Sequence, residues 1–182
     1  MTYALHTDRL REVLPDLRAG DRVLLTGTIY TARDAAHKRF FELLDRGEPL
    51  PVDLRGGVIY YAGPTPGQQG MAVGACGPTT SSRMDPFAPR LLDLGLCAMI
   101  GKGQRSPQVI DALKRNGGVY FAAVGGAGAL IATKIKSAQV IAFDDLGCES
   151  VKRMEVEDLP LTVAIDSLGT DLYQTGKDQY RS

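Results

Sequence analysis

Apolar positions along the chain fall into short runs. RVLLTGTIY (22–30), GVIYYAG (57–63), MAVGAC (71–76), LCAMIG (96–101), GVYFAAV (118–124), AQVIAF (138–143) and LTVAID (161–166) are rich in Val, Ile, Leu and Tyr, and Gly, Pro or Asp bounds most of them. Runs of that kind predict strands buried on at least one face. Between several of them the apolar period lengthens to that of a helix. From Arg33 to Asp45, Ala36, Phe40, Leu43 and Leu44 share a face, and Gly47 with Pro49 predicts the stop. Ser106-Pro107 reads as an N-cap followed by proline at the first helical position; Val109, Ile110 and Leu113 form the stripe and Gly117 ends it. Asp85-Pro86 opens a third helical segment carrying Leu91, Leu92 and Leu94, and a fourth covers Gly128 to Ile135.

Strands alternating with helices predict an α/β domain with a mixed sheet. The last third departs from that alternation. VKRMEVEDL (151–159), LTVAID and a short DLY (171–173) read as strand after strand, which predicts a strand-rich C-terminal part with antiparallel pairing. No repeat or linker-like tract divides the sequence, so residues 1–182 are expected to form one domain.

Composition narrows the partners. Twenty-one basic residues balance twenty-one acidic ones, so no overall field favours nucleic acid or an anionic membrane. An anionic ligand would have to be held by local placement of cations. MTYALHTDRLREVL lacks an apolar signal core, and VYFAAVGGAGALIA is too short and glycine-rich to span a bilayer. A cytoplasmic, soluble protein is the expectation. Cys76, Cys97 and Cys148 form no CxxC pair, which predicts buried reduced thiols and no metal site built by this chain alone.

Three predicted strand ends carry candidate chemistry. In ACGPTTSSRMDP, Thr79 and Thr80 follow Gly-Pro after a strand-like run, and Arg83 lies close enough to share their face. Helix capping accounts for one threonine; it accounts neither for the second nor for an arginine in a first turn, where positive charge opposes the helix dipole. TGTIYTARDAAHKR repeats the plan, with Arg33 beside Asp34 in the first turn and His37 one turn on. His37 reads either as a polar partner or as part of a solvated face. CAMIGKGQRSP places Lys102 between two glycines directly after a strand, where the backbone can approach a ligand closely. If these ends converge, Arg33, Thr79, Thr80, Arg83 and Lys102 make a cationic, hydroxyl-bearing pocket suited to a small dicarboxylate; if not, they are separate solvated side chains. AVGGAGALIA offers Gly125, Gly126 and Gly128 after a strand, but the spacing of a dinucleotide loop fails, and a tight turn facing a cleft is expected. No general base of ordinary pKa, metal set or Ser-His-Asp order accompanies the pocket.

GDRVLLTGTIYTARDAAHKR, GPTTSSRMD, GKGQ and AIDSLGTDLY, spread over residues 10–176, resemble the β subunit or C-terminal domain of class I iron–sulfur fumarate hydratases and the related L-tartrate dehydratase β subunits. The resemblance implies a swivelling β/β/α-type layered domain. It implies an α subunit, or N-terminal domain, that holds a [4Fe–4S] cluster through three cysteines and leaves one iron open as a Lewis acid on the substrate hydroxyl. It also implies that Arg33, Thr79, Arg83 and Lys102 grip the substrate carboxylates and that Thr80 moves the proton on the neighbouring carbon. The expected activity is reversible hydration of fumarate to (S)-malate by a hetero-oligomer in which this chain binds no cofactor alone. L-tartrate and mesaconate are alternative substrates, and a non-catalytic dicarboxylate-binding module is the alternative of another class.

Overall fold

A computed structural model describes residues 2–123 and 128–175. Seven strands are joined in one sheet: β1 (Thr2–His6), β2 (Arg22–Thr31), β3 (Val58–Tyr60), β4 (Ala98–Gly101), β5 (Val119–Ala122), β6 (Ile135–Ala142) and β7 (Val151–Ile165). The helices are α1 (Leu10–Val13), α2 (Asp34–Asp45), α3 (Ala88–Asp93), α4 (Pro107–Asn116) and α5 (Gly128–Ala132). Strands β2 to β5 run parallel to one another, while β7 is antiparallel to β2, β5 and β6.

Two long strands turn this sheet into a barrel. The first half of β2 pairs with β1 and its end with β3, while its other edge pairs along its length with β7. Strand β7 likewise pairs first with β6 and then with β5. The circuit β2-β3-β4-β5-β7 therefore closes on itself, leaving β1 and β6 as additional strands. Between Leu25 and Gly27 the register slips, two steps along β2 facing three along β7 (Leu159 to Val156), a bulge in β7 of the kind that lets strands wrap around a small barrel.

Side-chain alternation divides the core in two. Val23, Leu25, Ile29, Val58, Tyr60, Ile100, Phe121, Met154 and Val163 come from all five barrel strands and face one another, with Leu10, Leu14 and Leu17 packed on them. The other faces of β3, β4 and β5 carry Ile59, Met99 and Tyr120, which meet Phe40 of α2, Leu91 of α3 and Val109 and Leu113 of α4. Strands buried on both faces explain the near-continuous apolar runs VIY and AMIG.

The expected α/β class, mixed sheet and strand-rich C-terminal part are all present. Ser106 caps α4 by accepting from the Val109 N–H, and Gly117 follows the helix in the left-handed conformation. Several expectations are corrected. Met71–Cys76 is not a strand; only an isolated bridge links Val73 to Pro66, and Met71, Ala72 and Ala75 are exposed. The third helix starts at Ala88 rather than at Asp85-Pro86, after a 3-10 turn over Ser81–Met84. VKRMEVEDL and LTVAID are one strand of 15 residues with Asp158 at φ 52° inside it. Residues 172–175 are helical rather than extended. Helix α5 stops at Ala132, and Ile135 already belongs to β6. Gly125 and Gly126 lie outside the described residues. Among the described residues no helix is long and apolar enough to cross a membrane.

Candidate functional site

Parallel strands β2, β3 and β4 end side by side, and the chain segments leaving them stay paired. Ala32 donates its N–H to Tyr60 O at 3.1 Å, and Tyr61 donates to Ile100 O at 2.9 Å. Thr79 to Ser81 runs alongside these ends: Thr79 donates to Tyr61 O at 2.7 Å, Ser81 to Lys102 O at 2.8 Å, and Thr80 bridges Lys102 in parallel register. Thr80 and Lys102 are therefore backbone neighbours despite their separation in sequence. On the other flank, Arg83 Nη2 lies 2.9 Å from Asp34 Oδ2, and Asp34 follows Arg33 at the start of α2. The structure thus brings Arg33, Thr79, Thr80, Arg83 and Lys102 to one end of the barrel, the end at which its parallel strands present their carboxyl termini.

Two glycines make the close approaches possible. A Cβ on Gly101 would run into Ser81 Oγ and lie 2.9 Å from the Tyr61 ring, so only glycine lets the threonine segment lie against β4. A Cβ on Gly63 would sit 3.1 Å from Arg33 Nη1 and 3.0 Å from the Cys148 carbonyl oxygen.

Neither threonine is spent on capping. Thr80 occupies the N-cap position of the 3-10 turn but makes no side-chain cap bond. This corrects the expectation that one of the pair would cap a helix. Thr80, Arg83 and Lys102 are exposed, and Arg33 is partly buried. Lys102 forms no ion pair with a described residue, while Arg33 Nε has Glu149 Oε1 at 4.0 Å, too far for a hydrogen bond.

His37 is neither solvated nor paired with a charge. It is fully buried among Phe40, Tyr61 and Phe87, with ring centroids 5.5–5.7 Å away. Its Nδ1 lies 2.8 Å from Arg33 O; because a carbonyl only accepts, Nδ1 carries the hydrogen and Nε2 is left bare. Burial pulls its pKa from 6.5 to about 4, so the ring is neutral at neutral pH.

Sequence reasoning missed what lies beneath the loops. The Arg105 side chain is completely buried, its Nε donating to Asp85 Oδ1 at 2.6 Å and its Nη2 to Tyr61 Oη at 3.1 Å. Its guanidinium carbon lies 5.2 Å and 4.8 Å from the ring centres of Tyr61 and Tyr120. Asp85 Oδ2 accepts from the Ser106 N–H at 2.8 Å. Tyr120 Oη is 2.9 Å from Gly103 O and 2.7 Å from Ser81 Oγ, so it donates to the first and accepts from the second. The Gly103 N–H in turn donates to Tyr173 Oη at 3.2 Å. An arginine directly before Ser-Pro carries no local sign of burial, so only the position of Arg105 inside GKGQRSP could have drawn notice.

A cluster does not fit this chain's own donors. Cys76 and Cys97 are buried, and burial pushes their thiols up to about 12 and about 11, the opposite of the thiolate a metal needs. Cys148 is exposed, which corrects the expectation of three buried thiols. Among the described residues no group of three or more His, Cys, Asp or Glu side chains is placed to hold a metal ion.

Fold and site together define a barrel domain with Arg33, Thr79, Thr80, Arg83 and Lys102 gathered at one end. Residues 2–176 match the family described as Fumarase C-terminus, and the chain belongs to that family. It is 42% identical over 168 residues to fumarate hydratase 2 of Leishmania major, covering 91% of this chain and 30% of that protein. It is 40% identical over 170 residues to the aerobic class I fumarate hydratase of Escherichia coli K12, covering 91% of this chain and 31% of that one. A Methanocaldococcus jannaschii protein, provisionally named as an L(+)-tartrate dehydratase subunit beta, is 40% identical over 164 residues, covering 87% of this chain and 84% of its own length. The chain thus spans about three tenths of the fumarate hydratases it matches.

Proposed function

We propose that this chain is the β subunit of a [4Fe–4S]-dependent hydro-lyase that reversibly hydrates fumarate to (S)-malate. The observation that carries the reading is the convergence of Arg33, Thr79, Thr80, Arg83 and Lys102 on the ends of three adjacent parallel strands. In this reading residues 1–182 act as one swivelling-type unit of a soluble cytoplasmic hetero-oligomer, and the cluster belongs to an α subunit docked on this edge. The name of the M. jannaschii relative, a subunit beta, supports a two-chain enzyme.

The chain's own residues bind and orient the diacid. Arg33 and Arg83 approach from two directions and take the carboxylates, with charge-assisted bonds each contributing roughly 1.5–3 kcal/mol. Thr79 adds a hydroxyl, and Lys102 supplies a compact positive charge. Acting as an alkoxide, Thr80 takes the proton from the carbon next to the hydroxyl-bearing one in dehydration and becomes the neutral alcohol, and in hydration the neutral alcohol returns that proton. An ordinary threonine hydroxyl is a poor base, so the alkoxide needs a positive charge beside it, and Lys102, the backbone neighbour of Thr80, is the residue of this chain that would supply it.

Tartrate is the second reading, favoured by the same M. jannaschii relative. Anaerobic steady-state assays of the chain co-purified with its iron–sulfur partner, using fumarate, L-tartrate and mesaconate, separate the possibilities. Fumarate turnover well above the other two is expected. Background fumarate turnover beside rapid turnover of another acid would reassign the substrate, and binding of all three without turnover would make the chain a dicarboxylate-binding module.

A further inference from the structure

The two loops that carry Thr79, Thr80, Arg83 and Lys102 are separate in sequence, and the side chains of Thr80, Arg83 and Lys102 are exposed. Above, a single run of main-chain contacts joins them, through Thr80, Ser81 and Lys102. Below lies the buried set of Arg105, Asp85, Tyr61, Tyr120 and Ser81. Every member of that set touches one loop, the other or both. Asp85 ends the threonine turn and accepts from the backbone of Ser106, just past the lysine loop. Tyr120 bonds Ser81 of the first loop and Gly103 of the second.

From this arrangement we propose that Arg105 is a positioning residue that sets the distance between the Thr80 hydroxyl and the Lys102 charge. The inference rests on the reading of these two residues given above. A buried ion pair is a weak device for stability, because desolvation offsets most of its attraction and apolar replacements are often neutral. Its better-attested use is to fix one arrangement among several. Arg105 suits that use: its planar guanidinium is bonded on two sides at fixed angles and lies against the rings of Tyr61 and Tyr120. The linked pair spans the junction between the loops, so a shift of Arg105 moves both. The arrangement predicts loosened site loops on an intact barrel when the charge pair is removed.

The test uses the full chain and the double variant Arg105→Met/Asp85→Asn, which removes both charges and leaves no unpaired ion; Arg105→Lys serves as the conservative change. Amide hydrogen exchange of the chain alone reports on the loops. Faster exchange, by about tenfold or more, is expected at Ser81, Gly103 and Ser106, with Met99 and Tyr120 in the barrel unchanged. In the assembled enzyme the double variant should lose about 100-fold in kcat with a smaller change in KM, as for a misplaced reacting group. Arg105→Lys, which keeps charge without the planar fork, should fall between. Unchanged exchange at the three loop amides overturns the proposal whatever the enzyme does, and so does faster exchange spread evenly over the barrel. Wild-type enzyme inactive on all three acids would instead remove the proposed function and leave the exchange result to decide the loop coupling.

Discussion

The two sides of the candidate site are built differently. On the Lys102 side, the buried polar groups of Arg105, Asp85, Tyr61, Tyr120 and Ser81 are all hydrogen-bonded to one another or to backbone. On the Arg33 side lie Arg33 Nε, Asp34 Oδ1 and His37 Nε2, the three buried side-chain atoms without a hydrogen-bond partner among the described residues. Satisfied networks hold one geometry, whereas an unpaired buried polar atom costs about 1–3 kcal/mol. The contrast teaches that one side is set in advance by the fold. The other keeps polar capacity in reserve at the residue proposed to take a carboxylate.

The largest effect should come from the pre-set side. Thr80→Val keeps the shape and removes the hydroxyl; kcat should fall by about 10²–10⁴ with little change in KM, the usual contribution of a proton-transferring group. A variant losing affinity instead, with kcat intact, would make Thr80 a binding group.

His37 sharpens the comparison from the other side. Its folded pKa lies below its unfolded value, so the unfolded chain takes up a proton that the folded chain refuses. Stability is therefore full above pH 6.5, falls as pH drops through that value, and levels off below about 4, a loss of about 3 kcal/mol. Chemical denaturation at several pH values should show this slope, and His37→Phe should remove it. An unchanged slope in the variant would show that His37 titrates alike in the folded and unfolded chain.

Arg83→Lys keeps charge but loses the two-pronged geometry, and kcat/KM should drop by about 10–100-fold. Smallest of all is Asp34→Asn. Its partner Arg83 is more than half exposed, so stability should change by less than about 1 kcal/mol in thermal melts. KM should still rise, because Arg83 loses the carboxylate that orients it. Equal effects of Asp34→Asn and Arg83→Lys on kcat/KM would erase the distinction between orienting and gripping.

Much of this was legible from residue order alone. The runs VIY, AMIG and VYFA announce buried strands, Ser106-Pro107 and Gly117 announce the ends of α4, and Arg33, Thr79, Thr80, Arg83 and Lys102 could be picked out as candidates, although the strand expected before Thr79 is absent. What could not be read depends on distant pairing. Closure of the barrel follows from β2 and β7 each changing partner midway, and no local pattern encodes a partner. MAVGAC has strand composition, yet it lies in the loop between β3 and the threonine segment and finds no ladder beyond one bridge. Arg105 and His37 look like surface residues by type, and only tertiary packing buries them.

The most direct measurement is a crystal structure of this chain assembled with the proposed iron–sulfur α subunit and (S)-malate, read for the contacts of each malate carboxylate. The account predicts Arg33 and Arg83 within hydrogen-bond distance of the carboxylates, Lys102 beside them, and the Thr80 hydroxyl facing the carbon that loses its proton. Malate bound away from the ends of β2, β3 and β4, or with Thr80 turned from the reacting carbon, would contradict it.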